Sequence, residues 1–247
     1  MHTPHLYLNA VREVLTHLEQ TQLANIQAAA DIVAQALTHG GTVNCSEVGH
    51  GIHWDFINRA GGLLAIQPFA HSFSVNNPVP ECRRGQPQPG AENRDLELIR
   101  FAVRNSPLRA GDVMVVSSVS GRNRGPVELA LACRDHGLKV IGLTAMAYTL
   151  KVSSLHPSGK RLFEAVDVVI DCGAPYGDAA VDVPGYEHKC IPVSGLGQLV
   201  SGWMIWGLVM EKMAAAGNAA SVYISHNREG GPAFNDRMKA QYQKRGY

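Results

Sequence analysis

Between Asp112 and Thr144 the chain reads DVMVVSSVSGRNRGPVELALACRDHGLKVIGLT, and no other stretch restricts the fold as much. Val113 to Val116 is a short, β-branched apolar run closed by serines, the pattern of a strand buried on both faces of a parallel sheet. Gly121 and Gly125 allow a sharp turn, and Pro126 suits the first turn of a helix. Val127, Leu129, Ala130, Leu131 and Cys133 give that helix an apolar face, and Gly137 ends it. Lys139 to Leu143 is a second apolar run. Strand, helix and strand in so short a span predict a right-handed βαβ unit with Thr144 at the carboxyl end of its second strand.

The chemistry of the unit follows from its geometry. Ser118, Ser120, Gly121 and Asn123 fall where the strand gives way to the helix, so hydroxyls and amide N–H groups gather at the positive end of a helix dipole. That is an anion site. It has neither a P-loop lysine nor a G-x-G-x-x-G run, which points away from nucleotides and toward one compact phosphate held by neutral donors.

Ser118-Val119-Ser120-Gly121-Arg122-Asn123, with Glu128-Leu129-Ala130 and Val140 to Thr144 behind it, resembles the S-x-S-G-x-[T/N] signature of the SIS (sugar isomerase) phosphosugar-binding domains. The segments Ser46 to Gly51, His156 to Leu162 and Gly173 to Ala179 resemble the UPF0309 subgroup of that superfamily. The resemblance implies a three-layer α/β/α sandwich around a five-stranded parallel sheet, with the flavodoxin-like order of SIS proteins. It also implies a sugar phosphate as ligand and a leading helix packed at a subunit interface. The expected organisation is one SIS domain over residues 1–247, with a core of about 42–216, an N-terminal helix over 4–38 and a tail over 217–247.

Composition narrows the partners. At 247 residues and 45% hydrophobic content the chain can build one sizeable α/β core. A formal charge of +1, without a basic stripe, argues against nucleic acid. The five cysteines are odd in number and lack a C-x-x-C pair, which reads as reduced thiols in the cytoplasm. No apolar run reaches membrane-spanning length and the first residues lack a signal pattern, so the expected setting is cytoplasmic, without a membrane partner.

From Pro4 to Leu37 apolar residues recur at helical spacing, bent or interrupted near Gln20 to Gln22. A helix that long has more apolar face than one sheet covers, so a homo-oligomer, dimer or tetramer, is expected. Thr42 to Cys45 is the first strand, and the loop after it carries Ser46, Glu47, His50 and His53. In a parallel sheet this loop leaves on the same edge as Ser118 to Asn123, so Glu47, His50 and His53 are the candidate acid–base groups. His50 and His53 with Glu47 and Asp55 are also spaced like metal ligands, but no third histidine or cysteine is fixed nearby, so no metal and no cofactor is expected. Leu63 to Ile66 reads as the second strand, and Pro68 to Gly90 as a long loop whose Arg83 and Arg84 would suit a lid over an anion. Asn93 is the expected cap of the next helix. Ser46, Glu128 and His188 are further candidates for substrate contact, as are Thr144 and Thr149, where the SIS resemblance implies a serine or threonine near the sugar; Glu128 has a sufficient alternative role in complementing the helix dipole. Ser194 to Ala216 is a helix apolar over most of its circumference.

An aldose–ketose isomerase needs a base to move a proton between adjacent carbons and a donor to polarise the carbonyl. The phosphoheptose isomerases place a Glu on the helix after the first loop and a His on the last helix. Here the matching stretches, Phe56 to Ala60 and Ser201 to Met204, contain neither. Glu47, His50 and His53 are the replacements at hand for a sugar-phosphate isomerase. The alternatives are a phosphosugar lyase or etherase and a non-catalytic sugar-phosphate sensor.

Overall fold

A computed structural model describes residues 2–50, 52–86 and 92–247. Helix α1 (Thr3–His17) and helix α2 (Leu23–Thr38) run on through a π-helical turn at Leu18–Gln22, where the sequence suggests an interruption. The turn lets the buried Gln22 accept the N–H of Asp171 through its side-chain oxygen at 3.0 Å, tying the helix to the sheet.

Five strands, β1 (Val43–Ser46), β2 (Ile66–Phe69), β3 (Val113–Ser117), β4 (Lys139–Thr144) and β5 (Val168–Asp171), form a parallel sheet in the order β2-β1-β3-β4-β5. The expected α/β sandwich is the one observed, because each strand alternates its side chains between two helical layers. Val113 and Val115 join Ile26 and Val33 of α2 and Trp206 and Val209 of α6 (Ser194–Ala215). Met114 and Val116 point the other way, to Ile99 and Val103 of α3 (Arg94–Arg104) and Val127 and Leu129 of α4 (Arg124–Asp135). A short helix α5 (Met146–Thr149) follows β4. An antiparallel pair, β6 (Ala179–Val181) and β7 (Cys190–Pro192), precedes α6, and α7 (Gly231–Arg245) ends the chain with Tyr242 and Tyr247 against the core.

Three local expectations are corrected. The second strand lies at Ile66–Phe69, not Leu63 to Ile66; Leu63 instead makes an isolated bridge with Val222. The chain after the first loop forms only a 3-10 turn, Ile52–Asp55, and Phe56 to Ala60 is not helical. Asn93 holds the N-cap position of α3 as expected, but its side chain makes no cap bond; its oxygen accepts Arg124 instead, which also grips Asp95 and holds that carboxyl below its usual range. Gly51 and residues 87–90 of the long loop lie outside the described residues. Among those described, no helix is long and apolar enough to cross a membrane. Leu6, Leu8 and Leu15 stand exposed on α1.

The thiols divide sharply. Burial pushes Cys45, Cys133 and Cys172 each up to about 12, so near pH 8 their thiolate populations are negligible, while Cys82 is exposed and Cys190 half-exposed. An alkylation time course at pH 8 is expected to modify Cys82 and Cys190 in the folded protein and the other three only after denaturation. Rapid native modification of Cys45 would contradict the buried sheet.

Candidate functional site

In this strand order the chain leaves β1 toward β2 on one side and reaches β3 on the other, so the loops after β1 and β3 part at their carboxyl ends and leave a crevice. A cavity of about 530 Å³ lies there, lined by Gly49, His50, Ser118, Val119, Ser120, Asn123, Pro126, Tyr148, Gly177 and Asp178.

The loop after β3 forms one wall. The Ser118 N–H donates to Leu143 and the Gly121 N–H to Ser118, both within the fold, so neither is free for a ligand. The hydroxyls of Ser118 and Ser120, the exposed Asn123 side chain and the first-turn N–H groups of α4 remain as donors. Gly121 adopts φ +62°, and a side chain there would press on Thr149 Oγ1 at 2.7 Å and Thr144 Oγ1 at 3.1 Å. Thr144 is fully buried and donates its hydroxyl to the Val119 carbonyl at 3.2 Å, so it supports the loop from beneath and does not line the cavity.

The opposite wall is the loop after β1. Ser46 is buried, its oxygen accepting the Val48 N–H at 2.8 Å, and so shapes the loop. Gly49 has φ +119°, and a Cβ would overlap the Ser117 carbonyl oxygen, the same oxygen that accepts the His50 N–H at 2.8 Å. This close approach sets His50 beside the serine loop, with Nε2 facing Gly195 in the first turn of α6. Glu47, His50 and His53 do not converge. His53 is 5% exposed, lines no part of the cavity, and among the described residues finds no hydrogen-bond partner for either ring nitrogen; Glu47 Oε1 stands 3.6 Å from its Nε2. Among the described residues no cluster of three or more His, Cys, Asp or Glu side chains is arranged to hold a metal ion.

Glu128 is 2% exposed. It contacts Arg100 through one oxygen and His156 Nε2 through the other at 2.5 Å, while His156 Nδ1 accepts the Ser158 N–H at 3.1 Å. The segment so anchored pins the serine loop from behind: Leu155 and Leu162 donate to the Arg122 and Gly121 carbonyls at 2.9 and 2.7 Å. Glu128 therefore stands behind the loop, outside the cavity. His188 also lies outside it, with a side chain 87% exposed beside Glu187, and Arg83 and Arg84 are exposed and absent from the lining.

Asp178 lines the cavity although the sequence assigns it no role. It takes φ +68°, and its carboxylate accepts the Val193 and Ser194 N–H groups at 3.2 and 2.8 Å and the Ser194 hydroxyl at 2.7 Å, capping α6. The signal was a Gly-Asp pair ahead of an apolar helix, but the helix begins 16 residues later, too far for a local cap to be read.

Residues 6–145 match the SIS domain family. The chain is 34% identical over 222 residues to a UPF0309 protein of Shouchella clausii, covering 87% of this chain and 86% of that one. It is 32% identical to a UPF0309 protein of Streptomyces griseus, covering 97% and 94%. A phosphoheptose isomerase of Francisella tularensis superposes with a TM-score of 0.50 at 14% identity, covering 83% of this chain and 95% of that one, which is a likeness of fold. The strand order, the serine loop at the switch point and these matches agree: the chain belongs to the SIS domain family and, within it, to the UPF0309 proteins.

Proposed function

We propose that the chain binds a sugar phosphate in this cavity and interconverts its aldose and ketose forms by proton transfer through His50. One observation carries the reading: a half-buried imidazole and a lysine-free set of hydroxyl and amide donors at a helix N-terminus share one cavity of about 530 Å³. The phosphate sits against Ser118, Ser120, Asn123 and the first turn of α4, where the dipole favours an anion. The sugar then extends toward α6, past Tyr148, whose ring offers an apolar flank. His50 takes the proton from the carbon next to the carbonyl, the electron pair moves onto the carbonyl oxygen to give an enediolate, the hydroxyl proton passes from the neighbouring oxygen to that one, and His50 returns its proton at the neighbouring carbon. Glu47 and His53 stay outside this step, since neither lines the cavity.

Deuterium uptake tests it. In D₂O the protein is expected to exchange the C2 hydrogen of the sugar phosphate it binds. His50→Gln is expected to slow that exchange by about 10²–10⁴-fold with the dissociation constant within about threefold. A bound sugar phosphate that never exchanges, or exchange indifferent to His50→Gln, refutes the assignment.

A further inference from the structure

We propose that Asp178 selects the substrate: the site accepts a sugar monophosphate whose far end is a hydrogen-bond donor, hydroxyl or amine, and rejects one whose far end is an anion. The proposal rests on the reading that the cavity holds a sugar phosphate.

The N-terminus of α4 lines this cavity, that of α6 reaches it through its cap Asp178, and the two differ in charge. That of α4 has Asn123 at its capping position with no side-chain cap, so its partial charge of roughly +0.5 is available to an anion. That of α6 is occupied by the Asp178 carboxylate, which outweighs a similar dipole and leaves that end net negative. Among the described residues lining the cavity, Asp178 is the one carboxylate, and there is no lysine or arginine. The phosphate is thus directed to α4 by attraction and away from α6 by repulsion.

Asp178 also retains bonding capacity. An ionised carboxylate has about four acceptor positions. The Val193 and Ser194 N–H groups use Oδ1, and the Ser194 hydroxyl takes one position on Oδ2, leaving another there for a ligand O–H or N–H. A carboxylate or second phosphate at that position has no proton to give and meets a like charge. Asparagine tolerates the left-handed φ of +68° as readily as aspartate does.

Asp178→Asn is therefore the informative variant, since it keeps the backbone conformation and the acceptor that caps α6 while removing the charge. Aldose monophosphates, whose ring forms present the anomeric hydroxyl at the end away from the phosphate, are paired with their aldonate counterparts, glucose 6-phosphate with 6-phosphogluconate and arabinose 5-phosphate with arabinonate 5-phosphate, and dissociation constants are measured by calorimetry. The native protein is expected to favour the aldose of the pair it binds by at least about tenfold, and Asp178→Asn to shrink that ratio to near unity through tighter aldonate binding. Binding of the aldose with equal binding of the aldonate, or a ratio unmoved in a folded Asp178→Asn protein, overturns the proposal while sparing the phosphate site. Failure of every monophosphate to bind overturns both.

Discussion

Gly49→Ala is expected to destabilise the fold by roughly 3–4 kcal/mol and to abolish ligand binding in whatever fraction remains folded. Two costs combine. At φ +119° any L-residue is strained, and the new methyl would occupy the place of the Ser117 carbonyl oxygen, which is sheet backbone and cannot yield as a side chain would. Relief requires the first loop to lift away, breaking the His50 N–H bond to that oxygen and withdrawing the imidazole from the serine loop. Gly61→Ala is the matched control. It also has positive φ, +81°, but meets nothing within 4 Å, so only the backbone cost of about 1–2 kcal/mol applies. Urea unfolding of both variants checks the difference; equal losses would mean the close approach of the two loops is not what holds the site.

Glu128→Ala is expected to cost about 3 kcal/mol and to weaken sugar-phosphate binding without touching the ligand. The carboxylate is buried between Arg100 and His156, and removing one member of a buried charged network typically costs about 3–5 kcal/mol because the others are left unmatched. The lower end applies here, since the Arg100 side chain is 40% exposed and keeps Asp135 at 2.8 Å. His156 has no such alternative. Its Nδ1 accepts from Ser158, so the network assigns the proton to Nε2, which would lose its acceptor in a dry interior. The segment Leu155 to Leu162 would then loosen its hold on the Gly121 and Arg122 carbonyls, and the serine loop would lose its preorganisation. Glu128→Gln, which still accepts from His156, is expected to cost only about 1 kcal/mol. Denaturant midpoints together with ligand titrations separate the two; a Glu128→Ala protein as stable as the native one would contradict the buried network.

Much of the fold was legible because its signals are local. The apolar runs, the serine cluster, the helix spacing and the flanking glycines all lie within a few residues of the structures they specify, and the unit from Val113 to Thr144 forms as read. The second strand was misplaced because Pro68 reads as a breaker. Yet β2 is the edge of the sheet, where a strand tolerates a missing N–H, and Leu63, which looked like its start, is buried by the distant Val222. The candidate site divides in the same way. Ser118, Ser120, Asn123 and His50 line the cavity because strand ends and parallel order bring their loops to one edge. Glu128 looked like a dipole partner because Arg100 and His156, which claim it, come from separate segments of the chain. His53 looked equivalent to His50, but the 3-10 turn at Ile52–Asp55 rotates it into the interior. Asp178 owes its place to a left-handed backbone and a helix start far along the chain, neither of which composition discloses.

Every step of the proposed reaction depends on the anion site after β3. Thermal unfolding would be followed with a panel of sugar monophosphates and their unphosphorylated parents, for the native protein and for Ser120→Ala. At one hundred times the dissociation constant, binding to the native state adds about 2.7 kcal/mol, a rise of roughly 5–10 °C for a chain of this size. The expected result is such a rise with at least one monophosphate, none with its parent, and its loss in a Ser120→Ala protein whose unliganded Tm is unchanged. Equal stabilisation by phosphate and parent sugars, or a rise that persists in Ser120→Ala, would contradict a phosphate held by this loop.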